Sequence, residues 1–207
     1  MTSAPTSAAN QSPKQVLYLD YDGVLHHDAV YRTPKLGIHI DARVAPGRSL
    51  FEWTEFLIHA ISPYPDVSIV LSTSWVRVLG FSRALSYLPP ELSSRVIGAT
   101  YHRRAHKADS LREGGVLVPS RGVEVLRDVK RRQPQQWVAV DDSPEGWPEE
   151  HLDRVVLCDS TTGLGNAATR ARLDLVLNHH FSSASVFSGQ PVSSSASQAA
   201  DNEKPQC

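Results

Sequence analysis

Apolar residues fall along this chain in short runs that alternate with stretches of helical period. Val16-Leu-Tyr-Leu19 reads as a strand that ends at an acid. Leu50 to Ile61 puts Leu50, Trp53, Leu57 and Ile61 on one helical face, with Phe51 and Ile58 beside it, and Pro63 and Pro65 stop it. Val67 to Leu71 is a second strand. Trp75 to Leu88 reads as a helix closed by Pro89-Pro90, and Arg95 to Ile97 as a short strand. Ser120 is a candidate N-cap for a helix over Arg121 to Arg132, with Val125 and Val129 facing inward. Trp137 to Val140 is another strand ending at acids, Val155 to Leu157 a further one, and Asn166 to Leu177 a closing helix. Strands apolar throughout, alternating with helices, predict a parallel sheet buried on both faces in an α/β fold. In such open sheets ligands bind off the carboxyl ends of the strands.

The flanks differ in kind. Residues 1–14 and 182–207 are rich in Ser, Ala, Pro and Thr, with too few large apolar groups to offset the cost of ordering. Both are expected to be disordered around one domain over 15–181, a size the length of 207 residues supports. No apolar run approaches the ~20 residues of a membrane span, and the N-terminus lacks the apolar stretch of a secretory signal. Two cysteines, Cys158 and Cys207, exclude a disulfide framework or a Cys-rich zinc site. A reducing cytoplasm is the expected location, and Cys158 reads as a buried small hydrophobe.

The formal net charge is −1, but it is unevenly spread. Between Arg95 and Arg132 there are ten Lys/Arg against four acids, leaving the remainder at −7. Such a segment is either a solvated helix face or the footprint of an anionic partner. His102, Arg103, Arg104, His106 and Lys107 form its densest part, with Tyr101 available for stacking on a base.

Three strand ends carry candidate chemistry. Asp20-Tyr-Asp22-Gly23 places two carboxylates two residues apart, on one side if the period is two, before a glycine that permits a sharp turn. Two such acids call for a cation or a shared proton; a hard ion such as Mg²⁺, a nucleophile with a general acid, and a plain Asp-Gly turn all meet the pattern. Ser72-Thr73-Ser74 offers hydroxyls and helix-start N–H groups to a phosphate, or simple N-capping. Asp141-Asp142-Ser143-Pro144 again sets acids side by side, for a metal or for an Asx turn. His26 and His27 read as solvated loop residues, and Trp75, Trp137 and Trp147 as core or rim packing.

In this order the three ends resemble the motifs of the haloacid dehalogenase (HAD) superfamily: DYDGVL its DxDGxL, IVLSTS its apolar strand ending in Ser or Thr, and VAVDD its acidic fourth motif. LYLDYDGVLH, LSTSW, RGVEVL and WVAVDD together resemble the HAD phosphatase domains of Swiss Army Knife RNA repair proteins over roughly residues 16–165. The resemblance implies a Rossmannoid three-layer α/β/α fold with a mainly parallel central sheet. It implies a Mg²⁺-dependent phosphohydrolase in which Asp20 forms an aspartyl-phosphate and Asp22 is the general acid and base. Mg²⁺ would be held by Asp20, the backbone carbonyl of Asp22 and Asp141, with Asp142 behind them. Thr73, with Ser72, and Arg121 would bind phosphoryl oxygens, Lys107 being the alternative to Arg121. Between Asp22 and Ser72, residues 24–48 suffice for a short flap and not for a helical cap, so a capless or minimally capped site is expected. A phosphorylated substrate is implied, nucleic-acid or nucleotide ends being favoured over small metabolites. A phosphate- or protein-binding module without catalysis is the reading from another class.

Overall fold

The computed structural model describes residues 14–101 and 119–182. The N-terminal segment, the tail from residue 183 and the cluster His102, Arg103, Arg104, His106 and Lys107 lie outside the described residues.

Five strands form one parallel sheet in the order β5-β4-β1-β6-β7: β1 Gln15–Leu19, β4 Val67–Leu71, β5 Val96–Ala99, β6 Gln136–Asp141 and β7 Val155–Leu157. β1 pairs in parallel with β4 on one side and β6 on the other, Leu19 lying opposite both Leu71 and Val140. The order therefore reverses between β1 and β6, which opens a crevice at their carboxyl ends.

Alternation along the strands explains the layers. Leu17, Leu19, Ile69, Leu71, Val138 and Val140 face one core, completed by Leu57 and Ile61 of α1 (Thr54–Ile61) and by Leu173, Val176 and Leu177 of the closing helix. Val16, Tyr18, Val70, Trp137 and Ala139 face a second, smaller core with Val125 of the helix Arg121–Arg132. Val125 is fully buried and Val129 partly so, both inward as the pattern predicts. A sheet buried on both faces keeps charged side chains out of the strand interiors and confines them to the tips.

Two helices are shorter than their periodicity suggests. α1 begins only at Thr54, because Phe51 takes φ +61° and its ring enters an aromatic cluster with Tyr21, Trp75 and Tyr87. The run Trp75–Leu88 is not one helix: Gly80, at φ +85°, separates α2 (Ser74–Leu79) from α3 (Phe81–Leu85), and α4 (Pro90–Ser93) follows. α5 is Arg121–Arg132 as expected; Ser120 has cap geometry, but its side chain makes no capping bond. α6 runs Ala167–Phe181, capped by the Asn166 side chain on the N–H groups of Ala168 and Thr169. Between Asp22 and α1 the flap is an antiparallel hairpin, β2 (Val30–Thr33) with β3 (Gly37–Ile40), and no helix is present there. No helix among the described residues is long and apolar enough to cross a membrane.

One contact fixes where α5 begins. A Cβ on Gly122 would lie 2.4 Å from the backbone carbon and oxygen of Gly146, in the loop after β6, and the Gly122 N–H donates to the Glu145 carbonyl at 3.1 Å. Gly→Ala in a helix ordinarily gains about 1 kcal/mol. At Gly122 the sign should invert, with Gly122→Ala losing roughly 1–3 kcal/mol through backbone overlap. Urea unfolding of the variant checks this, and a midpoint at or above wild type would contradict it.

Candidate active site

At the tip of β1 the Asp20 N–H still donates to the Val140 carbonyl (3.2 Å), so Asp20 continues the strand and sits beside the end of β6. On its other side the Ser72 N–H donates to the Leu19 carbonyl at 2.8 Å. After Tyr21 the chain turns at once: the N–H groups of Val24 and Leu25 both donate to the Tyr21 carbonyl. Gly23 makes the turn at φ +69°, and a Cβ there would fall 2.3 Å from Asp142 Oδ2. Glycine at 23 thus serves the turn and the approach of the Asp142 carboxylate together.

The tips of β1 and β6 bring three acids to one place. One carboxylate oxygen each from Asp20, Asp141 and Asp142 lies within 4.8 Å of the others. Asp20 and Asp141 are almost wholly buried. Arg121, at the first position of α5, reaches in between them: Nη2 is 3.3 Å from Asp20 Oδ2 and Nε is 3.5 Å from Asp141 Oδ2. Asp20 Oδ1 accepts the Tyr21 N–H at 2.7 Å, and Asp141 Oδ1 accepts the Ser143 N–H at 3.0 Å. Asp141 Oδ2 is buried with no hydrogen bond.

These placements set the protonation. Burial, opposed by Arg121 and reinforced by Asp22, pushes the Asp20 carboxyl above its usual range. Burial and the Asp20 charge push Asp141 up to about 9, and the same two causes raise Asp142 to about 6. Burial works against the Arg121 charge, but Asp20, Asp141 and Glu124 outweigh it and hold the guanidinium protonated. One Arg does not neutralise three carboxylates, and among the described residues Asp141 Oδ2 has the Arg121 ion pair at 3.5 Å but no hydrogen bond. A hard cation with oxygen ligands fits this donor set, and Mg²⁺ is such an ion.

The hydroxyls of the second tip divide. Thr73 caps α2, its Oγ1 accepting the Trp75 N–H at 3.3 Å, and its side chain also bonds to Asp20. Ser72 Oγ is buried without a hydrogen-bond partner among the described residues. The Asp22 carboxylate is not among the grouped acids. It faces α2 instead, accepting the Trp75 indole N–H at 2.8 Å and the Ser74 hydroxyl at 3.4 Å, with His26 Nε2 at 3.2 Å. Of the expected site residues, Asp20, Thr73, Arg121, Asp141 and Asp142 come together, Ser72 and Asp22 border them, and Lys107 lies outside the described residues.

Sequence reasoning missed several residues here. His26 is not a solvated loop residue: it is fully buried, because the turn after Asp22 folds it under the Phe51 and Trp75 rings. Its i+4 spacing from Asp22 was the available signal. Trp75 is packed as expected, but its indole also bonds the acid. Glu124, one turn along α5, is buried and holds both Arg121 Nη1 (3.4 Å) and Arg77 Nη2 (2.5 Å); its i+3 spacing from Arg121 was legible. Cys158 is buried nearby, its thiol pushed up to about 12 chiefly by burial, which keeps it unreactive. A separate group, Asp153, His179 and His180, involves the end of α6.

The family model described as HAD domain in Swiss Army Knife RNA repair proteins matches residues 16–169. No curated protein matches the chain.

The raised Asp141 and Asp142 carboxyls carry a stability consequence. In metal-free protein both bind protons more tightly folded than unfolded. Their contribution is therefore full below the unfolded carboxylate range and is lost as pH rises through about 6 and then about 9. The Tm of EDTA-treated wild type should fall more steeply than that of Asp141→Asn between pH 5 and 9. Millimolar Mg²⁺ should raise the wild-type Tm more at pH 8.5 than at pH 5.5, since at low pH it displaces protons. Parallel wild-type and variant profiles would contradict this.

Proposed function

The chain belongs to the family of HAD domains in Swiss Army Knife RNA repair proteins, and from that membership we propose a Mg²⁺-dependent phosphomonoester hydrolase acting through an aspartyl-phosphate. The observation that carries the proposal is the buried Asp20 carboxylate, grouped with Asp141 and Asp142 and facing Arg121. A buried carboxylate at a sheet tip, beside a guanidinium and hydroxyls, is arranged to meet a phosphoryl group, because phosphoryl transfer is governed by positioning and charge neutralisation.

In the proposed reaction Asp20 attacks phosphorus while Asp22 protonates the departing oxygen. Water then attacks the aspartyl-phosphate, and Asp22 takes its proton. Covalent capture divides one difficult displacement into two easier ones. Arg121 and the hydroxyls of Thr73 and Ser72 hold the phosphoryl oxygens. Mg²⁺ would be held by Asp20, Asp141, the backbone carbonyl of Asp22 and, behind them, Asp142, and supplies positive charge to those oxygens when bound.

For the substrate we favour phosphorylated nucleic-acid or nucleotide ends. Two features support this: the basic stretch from Arg95 to Arg132, and a flap between Asp22 and α1 that is only a hairpin rather than a helical cap. Oligonucleotides with 3′- or 5′-phosphates, tested beside sugar phosphates, decide between the polymer and small-metabolite readings. Preference for sugar phosphates would displace the nucleic-acid reading.

Asp20→Asn is close to isosteric but a poor nucleophile. It should lower kcat on p-nitrophenyl phosphate by ~10³-fold or more while the Tm stays near wild type. Excess EDTA should abolish turnover and Mg²⁺ should restore it. Wild-type turnover by Asp20→Asn would end the covalent mechanism, and absence of any turnover by wild type with Mg²⁺ would favour a binding module.

A further inference from the structure

We propose that Trp75 and His26 are positioning residues that fix the orientation of the Asp22 carboxylate for proton transfer; this rests on the phosphatase reading above. The Asp22 side chain is 29% exposed, and its two oxygens are bonded unequally. Oδ1 accepts the Trp75 indole N–H at 2.8 Å and has His26 Nε2 at 3.2 Å. Among the described residues Oδ2 meets only the Ser74 hydroxyl, at 3.4 Å.

His26 is a donor by elimination. Its ring is fully buried, and Nδ1 has no hydrogen-bond partner among the described residues. A proton on Nδ1 would be a buried donor with no acceptor, and would turn the Nε2 lone pair on a carboxylate. A proton on Nε2 makes a bond to Oδ1, so that tautomer is the favoured one. The ring is held by Phe51, at 4.8 Å between centroids, and by Trp75, at 5.8 Å. Trp75 is itself held edge-on by Tyr21, Phe51 and Tyr87. Neither donor can turn away without breaking this aromatic cluster.

With two N–H donors on it, Oδ1 is tied down, and Oδ2 is the oxygen left to give and take the proton. The Ser74 hydroxyl can rotate to accept from a protonated Oδ2. The proton on Oδ2 passes to the bridging oxygen as its bond to phosphorus breaks and the bond from Asp20 forms, releasing the alcohol. The attacking water later returns a proton to Oδ2 and releases phosphate, which restores both carboxyl groups.

The test uses the full chain with Mg²⁺ and two probes. β-Glycerophosphate has an alkoxide leaving group that needs a proton, whereas p-nitrophenyl phosphate loses its phenolate readily. Trp75→Phe keeps a ring and deletes the donor. It should lower kcat on β-glycerophosphate by about 10²-fold and kcat on p-nitrophenyl phosphate by roughly tenfold less, because the second substrate uses Asp22 only when water attacks the aspartyl-phosphate, with both KM values within about threefold. His26→Leu should act in the same direction, and His26→Gln, which keeps a donor near the Nε2 position, should recover most of the loss. In an Asp22→Asn background Trp75→Phe should add nothing further. Equal losses on both probes, matching losses in Tm, would overturn the assignment by making Trp75 a packing residue only. Selective loss in Asp22→Asn without loss in Trp75→Phe would overturn it while leaving the phosphatase reading intact. Full β-glycerophosphate turnover by Asp22→Asn would overturn both.

Discussion

Asp20, Asp141 and Asp142 crowd three carboxylates at the point where the strand order reverses, and two of them are nearly inaccessible to solvent. Burial disfavours each negative charge, and each charge disfavours the next. Much of the surrounding structure makes this crowding possible. Parallel pairing of β1 with β6 aligns two strand tips, so that Asp20 follows Leu19 where Asp141 follows Val140. Gly23 leaves the space into which Asp142 leans. Arg121 meets part of the charge, and the remainder appears as carboxyls that hold their protons to unusually high pH.

Arg121 is in turn a consequence of how α5 docks. Gly122 lets the backbone of the helix start touch the loop after β6, so the segment that runs on from Asp141 at the strand tip through Asp142 also sets the height of the guanidinium. Glu124 grips that guanidinium from one turn further along and links it to Arg77 on α2, whose guanidinium lies over the Tyr101 ring. Electrostatics therefore ties together three elements that the two cores pack on opposite faces of the sheet. An arginine held on several sides keeps its orientation without losing side-chain entropy when an anion arrives.

What was legible in the sequence follows from what is local. Strand runs and the acids at their ends are local, since a doubly buried sheet admits charged side chains only at its tips, and Asp20 and Asp141 lie there with Thr73 beside them. The length between Asp22 and Ser72 bounded the flap, because a helical cap needs residues that are not present. Missed features depend on tertiary packing. Phe51 leaves the helical register because its ring is worth more in the cluster with Tyr21, Trp75 and Tyr87 than on the face of α1. Gly80 breaks a run whose apolar period alone reads as continuous, since φ +85° costs a glycine little. His26 looked solvated because its i+4 spacing from Asp22, though legible, does not by itself show that the turn folds back beneath α2.

The same turn separates two acids that a strand would have set side by side. Had β1 continued, Asp20 and Asp22 would face one way with equivalent surroundings. Turning immediately after Tyr21 sends Asp20 to the β6 side, into contact with acids and Arg121, and Asp22 to the α2 side, onto indole, imidazole and hydroxyl donors. Chemically identical groups two residues apart thus acquire different environments. One is buried against charge and poised to be neutralised by a cation. The other is partly open to solvent, with one oxygen tied down. Divergent environments are how two carboxylates come to play different parts in one reaction. Here the divergence comes from a single backbone turn, which is why the glycine that permits it lies directly after the second acid.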